Sequence, residues 1–269
     1  MEYNFVNGIN LQQVATAVID VDRKDHVGDL PDNSIIWCKT DYLDVLFQSL
    51  SDNNNRYTLI THCSDHCVDE SLFNRRHKGI RKWYAQNVNY QHDDLIPLPI
   101  GIENHYGPCK GSSIDINFLE NNKDNFSVSN KIISHLYCNF SLHTNSNRGN
   151  VARILQTKGV GQFDIKRSFA DYCQEMKKYL FVASPRGNGI DCHRTWEALY
   201  MGCIPIVERH FMYDSYKHLP IIQIDSWDNF TMESLKPYIE QYKNKEAFRD
   251  IKELDLEFYL SKIKNTNHV

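Results

Sequence analysis

The chain has 269 residues, enough for one large or two small domains, and its 41% hydrophobic and 12% aromatic residues can fill sizeable cores. A formal net charge of −4 argues against a surface built for polyanions, which removes nucleic acid from the expected partners. No run approaches the roughly 18 apolar residues of a membrane span, and the opening Met1-Glu-Tyr-Asn-Phe-Val-Asn-Gly8 lacks the basic and apolar regions of a signal peptide, so no membrane span and a cytoplasmic location are expected.

Apolar runs alternate with helical or polar stretches along the whole chain. Ser34–Cys38 and Tyr57–Thr61 read as strands, and Asp41–Leu50 between them reads as a helix, which makes a β-α-β unit. The loop His62-Cys-Ser-Asp-His-Cys67 follows the second strand directly, at the carboxyl end where open α/β sheets bind ligands. Its two His and two Cys are metal-ligating types, but the spacing is not that of a zinc finger and no second ligand pair follows, so no metal is expected. The eight cysteines are scattered, and Cys38, Cys138 and Cys203 fall in expected strands. They read as reduced core residues.

Ile80–Asn87 reads as a short helix leading into a strand. Ile96-Pro-Leu-Pro-Ile-Gly-Ile102 carries two prolines and suits a sheet edge or an extended crossing segment. Lys110–Asn130, rich in Gly, Ser, Asn and Asp, reads as an inter-domain connection. A second α/β set then opens with a strand at Lys131–Phe140, followed by helices at Arg148–Gln156 and Ser168–Lys178. Ile221–Ile224 is a later strand, and Met232–Lys243 and Phe248–Ile263 are later helices. The expected organisation is an N-terminal Rossmann-like domain over 1–110, a linker over 111–130, a C-terminal Rossmann-like domain over 131–247 and a terminal helix over 248–269.

The most informative stretch lies in the second set. The apolar run Tyr179-Leu-Phe-Val-Ala183 leads into Ser184-Pro-Arg-Gly-Asn-Gly-Ile-Asp-Cys-His-Arg-Thr-Trp-Glu-Ala-Leu-Tyr-Met-Gly-Cys-Ile-Pro-Ile-Val207, the order strand, loop, helix, strand. A loop between a strand's carboxyl end and a helix's amino end favours an anion such as phosphate, through backbone N–H groups and the helix dipole. Arg186, His193 and Arg194 add donors, and Glu197, three residues after Arg194 on the same helix face, suits a vicinal diol such as a ribose. Gly187 and Gly189 permit a tight turn and close approach to the backbone. Asp191 reads equally as a helix N-cap or a sugar contact. Trp196, Leu199 and Tyr200 read as core.

The segment Pro185-Arg-Gly-Asn-Gly-x-Asp-x-His-Arg-x-Trp-Glu-Ala-Leu-x-x-Gly-x-Ile-Pro-Ile206 resembles the donor-binding segment of exostosin-like glycosyltransferases, such as those of large DNA viruses of the chlorella-virus type. It is similar, more distantly, to the corresponding segment of α-1,3-fucosyltransferases. The resemblance implies the GT-B fold, two Rossmann-like domains facing across a cleft with the nucleotide-sugar mainly on the C-terminal one. It implies a nucleotide-sugar donor, UDP-sugar favoured with UDP-xylose or GDP-fucose as specific readings, and an oligosaccharide or glycoprotein glycan as acceptor. The transfer is expected to be inverting, with no required metal, although some relatives bind a divalent ion. The rivals are a retaining transferase, a non-catalytic carbohydrate-binding protein on the same fold and a Rossmann dehydrogenase, against which the Gly-x-Gly after a late strand, without the third glycine and downstream acid, argues.

Under this resemblance Arg148, in the loop Asn139–Arg148, joins Arg186, Gly187, Asn188, Gly189, Asp191, His193, Arg194 and Glu197 as donor-binding residues. Arg153 reads as a solvated helix face, and Lys166 and Arg167 carry no assignment. An inverting transfer needs a base for the acceptor hydroxyl. Asp65 is the first candidate and Glu103 the second, with His62, His66, Asp69 and Glu70 behind them, and Asn87 reads as a cleft-lining residue.

Overall fold

The computed structural model describes residues 5–52, 54–103, 130–164, 168–242 and 251–266. The chain is α/β and divides into two compact units, one formed by Met1–Ile100, Gly189–Asp191 and Asp255–Val269, the other by Gly101–Asn188 and Cys192–Leu254. Each holds a parallel five-stranded sheet. The connection expected at 111–130 lies, but for its last residue, outside the described residues. Among the described residues no helix is long and apolar enough to cross a membrane.

In unit 1 the strands are β1 (Ala17–Ile19), β2 (Ser34–Lys39), β3 (Tyr57–His62), β4 (Ile80–Ala85) and β5 (Leu95–Pro97), and their order in the sheet follows the chain. Strands buried on both faces read as near-continuous apolar runs, as Ile35–Cys38 and Leu59–Thr61 do. Because parallel crossovers are right-handed, a sheet in chain order carries its connecting helices on one face. Helices α1 (Leu43–Ser49) and α2 (Glu70–Asn74) accordingly share a face, where Phe47 and Phe73 both pack on Trp83 with ring centroids 6.0 Å apart.

That topology leaves the opposite face without a crossover helix, and the end of the chain covers it. The final helix, α7 (Leu256–Thr266), carries Leu256, Tyr259, Leu260 and Ile263 at the spacing of one helix face. They pack with Val6, Leu11 and Val14 against Val18, Ile35, Trp37, Ile60, Tyr84 and Leu98. Of the helix expected over Phe248–Ile263, 248–250 lie outside the described residues; a 3-10 turn at Lys252–Leu254 leads to the α-helix at Leu256, where the Asp255 carboxylate accepts from Glu257 N at 3.1 Å.

The segment expected to begin as a helix at Ile80 is strand β4 instead. Arg81 and Lys82 break the alternation of its sequence because they stand at the amino end of the sheet, while Trp83, Tyr84 and Ala85 are buried. Trp83 Nε1 donates to Thr61 Oγ1 of β3 at 2.8 Å, and Tyr84 enters the α7 core. Tertiary partners on both faces override the local pattern. Pro97 is tolerated because β5 is an edge strand.

In unit 2 the strands are β6 (Ile132–Cys138), β7 (Gly161–Phe163), β8 (Tyr179–Ala183), β9 (Ile204–Glu208) and β10 (Ile222–Ile224), in the spatial order β10-β9-β8-β6-β7. Their helices are α3 (Asn147–Thr157), α4 (Phe169–Met176), α5 (His193–Tyr200) and α6 (Lys236–Tyr242), the last preceded by a 3-10 turn at Met232–Leu235. The chain moves from β6 outward to β7, then back past β6 to β8 and on to β10. Connections leaving β6 and β8 therefore run in opposite directions, and a crevice opens between the carboxyl ends of these two strands, the place where open α/β sheets hold ligands. The connections through α4 and α5 run in the same direction, which sets these helices side by side.

Candidate functional site

The crevice between β6 and β8 is bounded by the loop 139–146 after β6 and the residues 184–188 after β8. Arg148, the second residue of α3, ties the two together. It is only 5% exposed, and its guanidinium donates to three backbone carbonyls: Nη1 to Ser141 O at 3.2 Å, Nη2 to Pro185 O at 3.1 Å and Nε to Arg186 O at 3.0 Å. Asn145, absent from the sequence-based candidates, adds Nδ2 to Gly187 O at 2.7 Å. The planar fork of Arg148 thus holds the loop through its backbone carbonyls, a role the sequence did not suggest. Arg153 is exposed and donates to Asn150 Oδ1 at 2.7 Å; Lys166 and Arg167 lie outside the described residues.

Arg194, on the first turn of α5, sits in the same crevice. Its Nε donates to Asn139 O at 2.7 Å, while its Nη1 is buried with no hydrogen-bond partner among the described residues. The guanidinium carbons of Arg194 and Arg148 lie 5.7 and 5.9 Å from the ring centroid of Phe140. Burial lowers the pKa of Arg148, and the neighbouring Arg194 charge adds to that lowering. Arg148 and Arg194 are thus two cations held close, and one of them has a buried N–H with no hydrogen-bond partner among the described residues.

Glu197 lies one turn further along α5 and is 6% exposed, so it is no surface residue. Its Oε2 accepts from Tyr172 OH of α4 at 2.9 Å, a contact that follows from α4 and α5 lying side by side. Burial raises its pKa; His193, the Tyr172 hydrogen bond and Arg194 oppose that, and Glu103 adds to it. Burial next to Glu197 also pushes the Tyr172 hydroxyl well above the usual phenol range. His193 Nδ1 donates to Gly101 O at 2.9 Å, which leaves Nε2 as the ring's second functional nitrogen. Arg186 and Asn188 are exposed. The Arg186 charge reaches Glu208, whose carboxyl is raised by burial and partly restored by that charge, and it adds to the lowering of His210 by burial.

Gly189 and Asp191 also make contacts the sequence did not suggest. A β-carbon on Gly189 would meet Asn87 Nδ2 at 2.4 Å, so its glycine admits a buried side chain. A β-carbon on Gly187 would meet Arg148 Nη2 at 3.4 Å, an ordinary contact. Asp191 does not cap α5: the N-cap is Cys192, with no side-chain capping bond. The Asp191 carboxylate accepts from Ile100 N at 2.8 Å and its backbone N–H donates to Asn87 Oδ1 at 2.9 Å. Asn87 is itself fully buried at φ 55° and also donates to Ser64 O at 3.1 Å, which makes it a scaffold residue.

In unit 1 the loop after β3 is pinned by Gln86, a residue the sequence reading passed over. Gln86 Oε1 accepts from Cys63 N at 2.9 Å and its Nε2 donates to Ser64 O at 2.9 Å, holding Cys63 at φ 59°. His62 is 1% exposed, accepts from Cys63 N at Nδ1 (2.8 Å) and donates from Nε2 to Pro99 O (3.1 Å). Both ring nitrogens are occupied, which takes it off the list of bases. Asp69 is the N-cap of α2, accepting from Leu72 N at 2.8 Å, and Glu70 is exposed in the first turn. Asp65 and His66 are exposed on the loop itself, and Glu103 in unit 2 is half-buried.

One acid in this loop region was missed. Asp41 follows the end of β2 after one intervening residue, in the 3-10 turn Thr40–Tyr42, with Oδ1 3.8 Å from His66 Nε2 and Oδ2 3.3 Å from Lys39 Nζ. Burial pushes its pKa up, but the Ser64 hydroxyl and Lys39 outweigh that and hold it below the usual carboxylate value. The rule that pointed to 62–67, a polar loop directly after a strand, applies equally to Asp41. Among the described residues no group of three or more His, Cys, Asp or Glu side chains is arranged to hold a metal ion. The chain matches no protein-family model and no curated protein.

Proposed function

We propose that the chain is a glycosyltransferase of the GT-B type that transfers a sugar from a nucleoside-diphosphate sugar to a hydroxyl of an acceptor glycan. One observation carries the reading: the motif loop sits at the topological switch point of the unit 2 sheet, with Arg194 offering a buried, unpartnered Nη1 beside a second cation. A diphosphate oxygen at that point would satisfy the N–H and offset the paired charge. Glu197, deeper on the same helix, would accept hydrogen bonds from ribose hydroxyls. His193 would turn Nε2 to the phosphates or the transferred sugar, its orientation set by Gly101 O.

In the transfer, the acceptor oxygen attacks the anomeric carbon as the bond from that carbon to the β-phosphate oxygen breaks. The nucleoside diphosphate leaves with the electron pair and the acceptor proton passes to a carboxylate, Asp65 first and Glu103 second. Arg194 and the amino end of α5 would stabilise the charge growing on the leaving group. UDP is the favoured base and xylose the favoured sugar, GDP-fucose and a non-catalytic glycan binder being the alternatives.

A thermal-shift panel with UDP, GDP and TDP and their sugars tests the reading, because a ligand that binds only the folded state raises the melting temperature. A rise with one nucleoside diphosphate, absent with the free nucleoside, supports it. No rise with any member of the panel overturns it.

A further inference from the structure

At the amino end of the unit 1 sheet, opposite the loops discussed above, the entries to β3 and β4 and the last turns of α7 line a cavity of about 840 Å³. That volume is in the range of small-molecule sites, roughly 300–1,000 Å³. Its walls are held together by Tyr84 OH and Thr266 Oγ1, 2.5 Å apart, and by Thr266 Oγ1 donating to Lys262 O at 2.9 Å.

Four of the lining side chains are cations: Arg56, Arg81, Lys82 and Lys262. Arg56 is paired with Asp32 at 3.0 Å and Lys82 with Asp94 at 2.6 Å. Arg81 and Lys262 form no ion pair with any described residue. In a chain of net charge −4 this is a local excess of the opposite sign, gathered around a concavity. Asn33, Thr58 and Asn265 line the same walls. We infer that this cavity binds a multiply charged oxyanion of small-molecule size, with Arg81 and Lys262 as its charge partners. It shares no residue with the nucleotide site proposed above and does not depend on it.

Phosphate esters and carboxylated sugars present the same chemistry to this cavity, and two probes separate them: inorganic tripolyphosphate and a galacturonic acid trimer. Each is titrated calorimetrically into the wild-type chain, Arg81→Glu/Lys262→Glu, Arg81→Gln/Lys262→Gln and Arg194→Ala. The expected result, for at least one probe, is a binding event that survives in Arg194→Ala and weakens at least about tenfold in the charge-reversed variant, with a smaller loss in the glutamine pair, as for exposed ion pairs. Added salt should weaken the same event. Both side chains are exposed, so both variants are expected to keep the wild-type melting temperature. The inference is overturned if neither probe binds the wild-type chain. It is equally overturned if binding is lost in Arg194→Ala while both cavity variants bind normally.

Discussion

The amide of Asn87 occupies the space into which a side chain on residue 189 would project: a β-carbon there would lie 2.4 Å from Nδ2 and 2.9 Å from Cγ and Oδ1. Asn87 cannot move aside cheaply, because its amide is hydrogen-bonded to Ser64 O and to Asp191 N and the residue is fully buried. Gly189→Ala should therefore destabilise the chain by about 1–3 kcal/mol, the usual cost of overpacking. In an Asn87→Gly background, which also suits the positive φ, the same substitution should cost far less. Equal costs in the two backgrounds, by urea denaturation, would show that the clash is not with Asn87.

Arg148→Met should cost about 2–4 kcal/mol of stability, since it leaves the carbonyls of Ser141, Pro185 and Arg186 without their donor. Arg148→Lys should recover little, because one ammonium cannot span three carbonyls set for a planar fork. Full rescue by lysine would mean that charge alone matters at this position.

Arg194→Ala tests the anion site. Calorimetry with the nucleoside diphosphate identified by the thermal-shift panel should show binding weaker by roughly 1.5–3 kcal/mol, the range for hydrogen bonds to charged groups. The variant should be no less stable than its one lost bond to Asn139 O implies, because Nη1 has no described partner to lose. Unchanged affinity would remove Arg194 from the donor site.

Glu197 makes stability depend on pH. Its folded pKa is raised by burial, so in the window above the ordinary carboxylate value the folded state holds a proton that the unfolded state has released, and stability falls as pH rises. Glu197→Gln lacks this loss. The variant's stability relative to wild type should increase from the ordinary carboxylate pKa upward and level off above the raised one. A difference that stays flat across that window would show that burial leaves the carboxyl unshifted.

Asp65→Asn tests the proton acceptor. It should lower kcat by about 10²–10⁴, the usual contribution of general-base catalysis, with donor affinity nearly unchanged. Near-normal turnover would move the role to Glu103 or to the Asp41–His66 pair, and Asp41→Asn would then separate those two.

The α/β class, most strand positions and the strand-loop-helix setting of 179–207 were legible because each rests on residues adjacent in the chain. Runs such as Tyr179–Ala183 need only to be apolar enough for burial on both faces. A terminal helix was expected over Phe248–Ile263, and the structure places Leu256, Tyr259, Leu260 and Ile263 on its buried face. Ile80–Ala85 was misread because its two flanking cations belong to the end of a sheet, and an end is defined only once the sheet exists.

The division of labour within the motif was decided by tertiary structure. Arg148 reads as a phosphate ligand by residue type, but the carbonyls that take its guanidinium lie as far as 38 residues along the chain. Asp191 and Gly189 read as cap and turn until Asn87 arrives, and the hydrogen bond from Asp191 N to Asn87 spans 104 residues. The sequence by itself determined which segment carries donors and acids, since that is set by residue type and spacing. Which of them hold the backbone, and which have a buried N–H without a partner among the described residues, depended on strand order. The reversal between β6 and β8 sets which loops meet, and a polar group's partner is whatever the fold brings within about 3 Å of it.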